Sequence, residues 1–225
     1  YVWVMRTMRG AICPAVLYAY ANTRSGGFAK SLYTGFTGVL QCDGYSGYNL
    51  LEDSVTRVAC WAHVRRYFFF DADKNKGHFK TTRPLELLNE MFRLERPWQD
   101  LSSEARLEKR QAELKPLIDQ FWEWCDQASA LPKSLLGKAL HYAQERRVAL
   151  NRVLEYGEVD LSNNASERNM KSYVIGRKNW LFSTSPAGAK ANAIWMTMVE
   201  TAKANGQDPR EYLEFLLKTI SQLPD

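Results

Sequence analysis

Strand-like runs are confined to the opening of this chain, and long charged helical stretches follow them. "YVWVMRT", "PAVLYAYA", "GVLQC" and "RVACWAH", all within residues 1–63, are rich in β-branched and aromatic residues. From about residue 75 to 157 no such run occurs. Instead "PLELLNEMFRLE", "SSEARLEKRQAELKPLIDQFWEWCDQA" and "PKSLLGKALHYAQERRVALNRVLEYG" carry apolar residues at helical spacing. Strands followed by an uninterrupted helical block, then a return to mixed texture, predict an α/β core with an all-helical insertion. The expected parts are residues 1–74 (first part of the core), 75–157 (insertion) and 158–225 (second part of the core with C-terminal helices).

Within the first part, Gly10 lies between two strands and predicts an antiparallel pair. "TRSGGFAKSLYTG" predicts a short helix stopped by Gly35. Val39 to Cys42 read as a buried strand that Asp43-Gly44 ends, and "RVACWAH" as a strand running into a helix through "VRRYFFFDA". Together these predict one mixed sheet with helices against it. In the insertion, Pro84 is expected to open a helix with Leu88, Met91, Phe92 and Glu95 at helical spacing, and Pro116 to kink or split a long one. Leu136, Leu140, Ala143, Val148 and Leu154 are expected to point inward. In the last part, "NNASERNMKSYVIG" predicts a helix and "RKNWLFSTSPAG" an extended piece and turn. "AKANAIWMTMVETAKANG" predicts a helix with Ala191, Trp195, Met198 and Ala202 on its inner stripe. Asp208-Pro209-Arg210-Glu211 predicts a capped helix start.

The totals exclude some classes. With 225 residues, 45% of them hydrophobic, the chain can bury a proper core. No run of 18 apolar residues predicts a membrane span. Four cysteines, Cys13, Cys42, Cys60 and Cys125, are too far apart for a compact disulfide framework and suit a reducing cytoplasm. A net charge of +5 permits a polyanionic partner. The chain opens on strand-like residues with no starting Met, which predicts that it begins inside a longer protein.

Two carboxylates stand out. Residues 1–42 contain no Asp or Glu, so Asp43 is the first acid, placed where open α/β sheets hold ligands, beyond the carboxyl end of a strand. Gly44 leaves room at that edge. Asp-Gly is also an ordinary turn pair. Glu167 is the sole acid between residues 161 and 199, among Arg168, Lys171, Arg177, Lys178 and Lys190, with Trp180 and Phe182 close by. With Asn164 as N-cap, Glu167 would close a capping box. One acid in a basic field also suits a metal-assisted reaction on a phosphodiester, with cations on phosphates and aromatics on bases. Cys60 and His63 stand at i, i+3, and Cys42 adds a third possible zinc ligand, but no second Cys/His pair completes a tetrahedral set. His78 and His141 have no evident partner.

The segments "LQCDGYSGYN", "CWAHVRRYF" and "LSNNASERNMKSYVIGRKNWLFSTSPAGAKANAIWMTMVETAKANGQDPREYL" resemble the insertion sequence 66 transposase family, strongest over residues 38–70 and 160–216. The resemblance implies a DDE transposase with a ribonuclease-H-like core: a mixed sheet with flanking helices, interrupted by the helical insertion. It implies that Asp43 is the second catalytic Asp and Glu167 the final Glu, holding Mg²⁺ or Mn²⁺, two ions in a complete site. It implies Arg168, Lys171, Arg177, Lys178 and Trp180 as candidate contacts to double-stranded DNA, both element ends and target. Cys60 and His63 resemble a Cys-x-x-His signature that supports the site. A homo-oligomeric assembly, a bacterial cytoplasmic location and no membrane are implied too. The family's first Asp would lie upstream of "YVWV", so the chain alone is expected to be incomplete and inactive. Two alternatives stand beside this one: a non-catalytic remnant that binds DNA or associates with its own full-length relative, through DNA contacts or an exposed sheet edge, and a ribonuclease-H-like nuclease unconnected with transposition.

Overall fold

The computed structural model describes residues 1–51, 53–74, 79–180, 183–220 and 222. In chain order the strands are β1 (Val2–Arg6), β2 (Val16–Tyr20), β3 (Gly38–Cys42) and β4 (Val55–Ala59). The helices are α1 (Gly26–Leu32), α2 (Trp61–Lys74), α3 (Phe79–Glu95), α4 (Ser103–Lys109), α5 (Lys115–Gln127), α6 (Leu135–Gln144), α7 (Arg147–Asn151), α8 (Asn164–Asn179), α9 (Pro186–Ala204) and α10 (Pro209–Ile220). The protein is mixed α/β and mostly helical. Among the described residues its strands form two two-stranded sheets, where the sequence predicted one mixed sheet. β1 and β2 pair antiparallel, with Val4 opposite Tyr18, and β3 and β4 pair parallel, with Cys42 opposite Ala59. The parallel pair needs a crossover, and residues 43–54 supply it with a 3₁₀ turn at Ser46–Leu50.

Contacts divide the chain into two compact units, Tyr1–Leu32 with Asn164–Asp225, and Tyr33–Asn163. In the first, Val16, Tyr18, Tyr173 and Ala193 form the buried centre, flanked by Val2, Val4, Tyr20, Met170 and Met196. α9 packs along β2 through polar groups. The Thr197 hydroxyl accepts the Tyr18 N–H at 2.9 Å, and the Thr201 hydroxyl accepts the Val16 N–H at 3.0 Å and donates back to the Val16 carbonyl. A helix thereby takes the hydrogen bonds a neighbouring strand would take, so this edge of β2 is not left open to another chain. The expected inner stripe of α9 is corrected accordingly. Ala189, Ala193, Glu200 and Ala202 are buried, while Ala191 and Trp195 are exposed, because the hydroxyls facing β2 set the rotation of the helix. Asp208 caps α10, its Oδ1 accepting the Arg210 and Glu211 N–H groups at 2.8 and 3.0 Å, with Pro209 as first helical residue.

The second unit buries an aromatic centre. Trp61, Phe68, Phe121 and Trp122 pack at centroid distances of 5.1–5.7 Å, with Leu88, Met91, Leu114 and Ile118 around them. The Trp61 indole N–H donates to the Leu150 carbonyl at 3.0 Å. Several boundaries differ from expectation. β4 spans Val55–Ala59, and Trp61 and His63 are already helical. Pro84 lies inside α3, which starts at Phe79. The break expected at Pro116 appears as a π-turn at Arg110–Leu114 just before it. The wider turn accommodates a ring that would clash with an i−4 carbonyl. Val148 is 71% exposed and Leu136 and Leu154 only half-buried, while Leu150 and Val153 are buried: the turn at Glu145–Arg146 restarts the helix as α7 and shifts its phase. Arg177–Asn179 continue α8 instead of extending. His78 and Phe182 lie outside the described residues.

Candidate functional site

Asp43 is the first residue after β3, and the β3–β4 register puts Cys60 in the matching place after β4. Both therefore stand at the carboxyl end of the parallel pair, where strand ends leave backbone and side chains directed outward. The half-buried Asp43 carboxylate accepts the Tyr45 N–H on Oδ1 at 3.0 Å, the turn expected of an Asp-Gly pair. Cys60 is buried, and its sulfur accepts the Asn163 N–H at 3.4 Å, while the Trp61 N–H donates to the Leu161 carbonyl at 2.9 Å. His63 is the third residue of α2. The segment 161–163 is thus pinned beside the Cys60 turn, and α8 opens at the next residue.

The room expected at Gly44 is filled. A Cβ there would stand 2.7 Å from both Arg146 Nε and Tyr142 Oη. Arg146 donates to the Gly44 carbonyl at 3.1 Å and to the Tyr142 carbonyl at 3.1 Å, and its guanidinium lies over the Tyr142 ring, 4.0 Å from the centroid. Tyr67 stacks on Tyr142 with centroids 4.5 Å apart. Burial pushes the Tyr142 hydroxyl up to about 12, against the opposing pull of Arg146. Sequence reasoning did not single out Tyr142 and Arg146. Their i, i+4 spacing signals a cation over a ring, but nothing local ties that pair to a turn about a hundred residues earlier.

Glu167 is exposed, the fourth residue of α8. The helix starts at Asn164, so Asn164 lies inside it and the capping-box spacing proposed from the sequence does not apply. A carboxylate in the first turn is favoured by the helix dipole. At about 100° per residue, Glu167, Lys171 and Lys178 share one face, with Arg168 and Arg177 flanking it on opposite sides. Lys171, Arg168 and Lys178 are exposed, and Arg177 is half-buried. Trp180 is 40% exposed, folded back over Gly176, its ring edge-on to Tyr173 at 6.2 Å. Asp43 belongs to one compact unit and Glu167 to the other.

The donor chemistry discriminates between metals. Burial first, then Asp43, pushes the Cys42 thiol up to about 12. Among the described residues no group of three or more His, Cys, Asp or Glu gathers to hold a metal. Zinc does not fit these residues. Carboxylate oxygens are the donor type that Mg²⁺ and Mn²⁺ prefer, and Mg²⁺ takes only one or two protein carboxylates, completing its shell with water and substrate phosphate.

The sequence pattern of the IS66 family of transposases matches residues 1–191, and the chain belongs to that family. It is similar to three uncharacterized proteins of Sinorhizobium fredii. These are y4hP (33% identical, all of this chain against 44% of the relative), y4qI (31%, 96% against 42%) and y4jD (32%, 96% against 44%). The chain therefore spans less than half the length of these relatives. No solved structure matches. Among the described residues no helix is long and apolar enough to cross a membrane.

Proposed function

We propose that this chain carries part of the catalytic core of a DDE transposase with a ribonuclease-H-like architecture, acting on double-stranded DNA at element ends and target. The observation that carries the reading is the position of Asp43, at the carboxyl end of a parallel strand, in a chain that belongs to a transposase family. Asp43 and Glu167 would hold Mg²⁺ or Mn²⁺. When bound, the ions stabilise the entering and leaving oxygens of an in-line displacement at phosphorus.

The chain's own residues have separate tasks. Asp43 spends one oxygen, Oδ1, on its own turn, which restrains the carboxylate. Glu167 contributes a second hard donor from the first turn of α8. Lys171 and Lys178, on its face of the helix, and Arg168 beside it would neutralise phosphates without reading sequence. Arg177 and Trp180 are the weaker contacts, one half-buried and the other folded over Gly176. Cys60 acts as support, anchoring the residue before α8 through its sulfur, and His63 stands one turn further on. Assembly into a homo-oligomer belongs to the same proposal.

The test uses the full-length protein with Mg²⁺ or Mn²⁺ and cognate DNA ends. Nicking and end-joining are expected, and Asp43→Asn or Glu167→Gln should each abolish both while leaving the circular dichroism spectrum unchanged. Activity that survives in both variants refutes the assignment.

A further inference from the structure

We propose that Arg146, seated on Tyr142, is a positioning residue for Asp43, and that Gly44 is glycine because this clamp occupies the space of a side chain. The proposal rests on the reading of Asp43 as a metal-holding carboxylate. It is carried by geometry within one compact unit.

Arg146 follows α6 at the turn before α7, and its guanidinium is mostly buried. One Nη donates to the Tyr142 carbonyl at 3.1 Å and to Glu145 at 3.0 Å, and the other to the Gly44 carbonyl at 3.1 Å. These bonds go to carbonyls and to Glu145, not to the Asp43 carboxylate. The cation therefore grips the backbone of the residue after Asp43 and leaves the carboxylate un-neutralised by a direct ion pair. Tyr142 sets the plane of the guanidinium, and Tyr67 stacked on Tyr142 sets the plane of the ring. Arginine suits this arrangement: it stacks flat and donates in a rigid fork, which a lysine cannot do. Gly44 has no positive φ among the backbone angles, so its requirement is the close approach of Arg146 Nε and Tyr142 Oη, each 2.7 Å from a Cβ. The crossover after β3 has no strand neighbour to fix it, and this clamp fixes its first turn.

A sign test separates positioning from simple charge. A cation near a divalent ion repels it, so if Arg146 acted by charge alone its removal would tighten Mn²⁺ binding. As a positioning residue its removal weakens binding, about tenfold, as is usual for groups that orient metal ligands.

The experiment titrates the full-length protein with Mn²⁺ alone, reading free Mn²⁺ by electron paramagnetic resonance, with the thermal midpoint measured alongside. Arg146→Ala and Arg146→Lys are each expected to weaken binding about tenfold with the thermal midpoint little changed. Gly44→Ala, which keeps Arg146 but displaces it, is expected to weaken binding in the same direction. Asp43→Asn should abolish binding. Loss of binding in Asp43→Asn with unchanged or tighter binding in Arg146→Ala and Gly44→Ala overturns the proposal and leaves the reading of Asp43 standing. Full rescue by Arg146→Lys also overturns it. Undiminished binding in Asp43→Asn overturns the reading of Asp43 itself.

Discussion

Replacing Arg110 with Met should be among the most damaging single changes to this protein. Arg110 is fully buried, and all five of its N–H groups are used. Nε donates to Glu95 at 2.9 Å and one Nη completes the fork on the same carboxylate. The remaining bonds reach the carbonyls of Val153 at 3.1 Å, Tyr156 at 3.0 Å and Val159 at 2.8 Å. The π-turn that starts at Arg110 allows this inward course. Arg110→Met would strand the buried Glu95 charge and unpair three carbonyls of the segment leading to α8. Breaking one side of a buried pair costs about 3–5 kcal/mol. With a urea slope of about 2 kcal/mol/M, the midpoint should fall by roughly 2 M. The readout is tryptophan fluorescence, because Trp61, Trp98, Trp122 and Trp124 all lie in this unit. The double variant Glu95→Leu, Arg110→Met should recover much of the loss, since no charge is then left buried alone. A fall below about 0.5 M on the single change, or a double variant no better than the single one, would refute the reasoning.

Three further outcomes are expected. Gly157→Ala should destabilise the same unit by about 1–3 kcal/mol in urea unfolding, because a Cβ there would overlap the Ser103 carbonyl, a backbone atom that cannot swing away. The thiols should separate by exposure: Cys13 should react with iodoacetamide in the native protein, and Cys42, Cys60 and Cys125 only on unfolding. Burial first, then Asp126, holds the Cys125 thiol up at about 12, against an ordinary value near 9. Between these values the unfolded chain has lost a proton that the folded chain keeps. The contribution is therefore whole below about pH 9 and is lost as pH rises toward 12. Cys125→Ala should flatten the decline of the urea midpoint measured from pH 8 to 11.

The amino-acid sequence alone determined what depends on near neighbours. Alternating β-branched and aromatic residues placed β1 and β2, and Asp208-Pro209 placed the start of α10. The acid-free opening and the glycine after Asp43 located a carboxylate at a strand end, and the pattern of the chain placed it in its family. Tertiary structure decided what depends on distant partners. Arg110 reads as one more charge on an amphipathic helix, yet it is fully buried because Glu95 and three carbonyls, 15 to 49 positions away, surround it. Thr197 and Thr201 read as polar interruptions of α9, yet they face β2, 179 and 185 positions earlier, and complete its hydrogen bonds. Val148 reads as inward until the turn at Arg146 shifts the phase of α7, and that same arginine reaches Gly44 across 102 positions. Local periodicity carries the conformation of a segment, because backbone sterics and side-chain spacing act over one or two turns. It carries no record of which segments meet, and the burial of a charge or the role of a hydroxyl is set at that meeting.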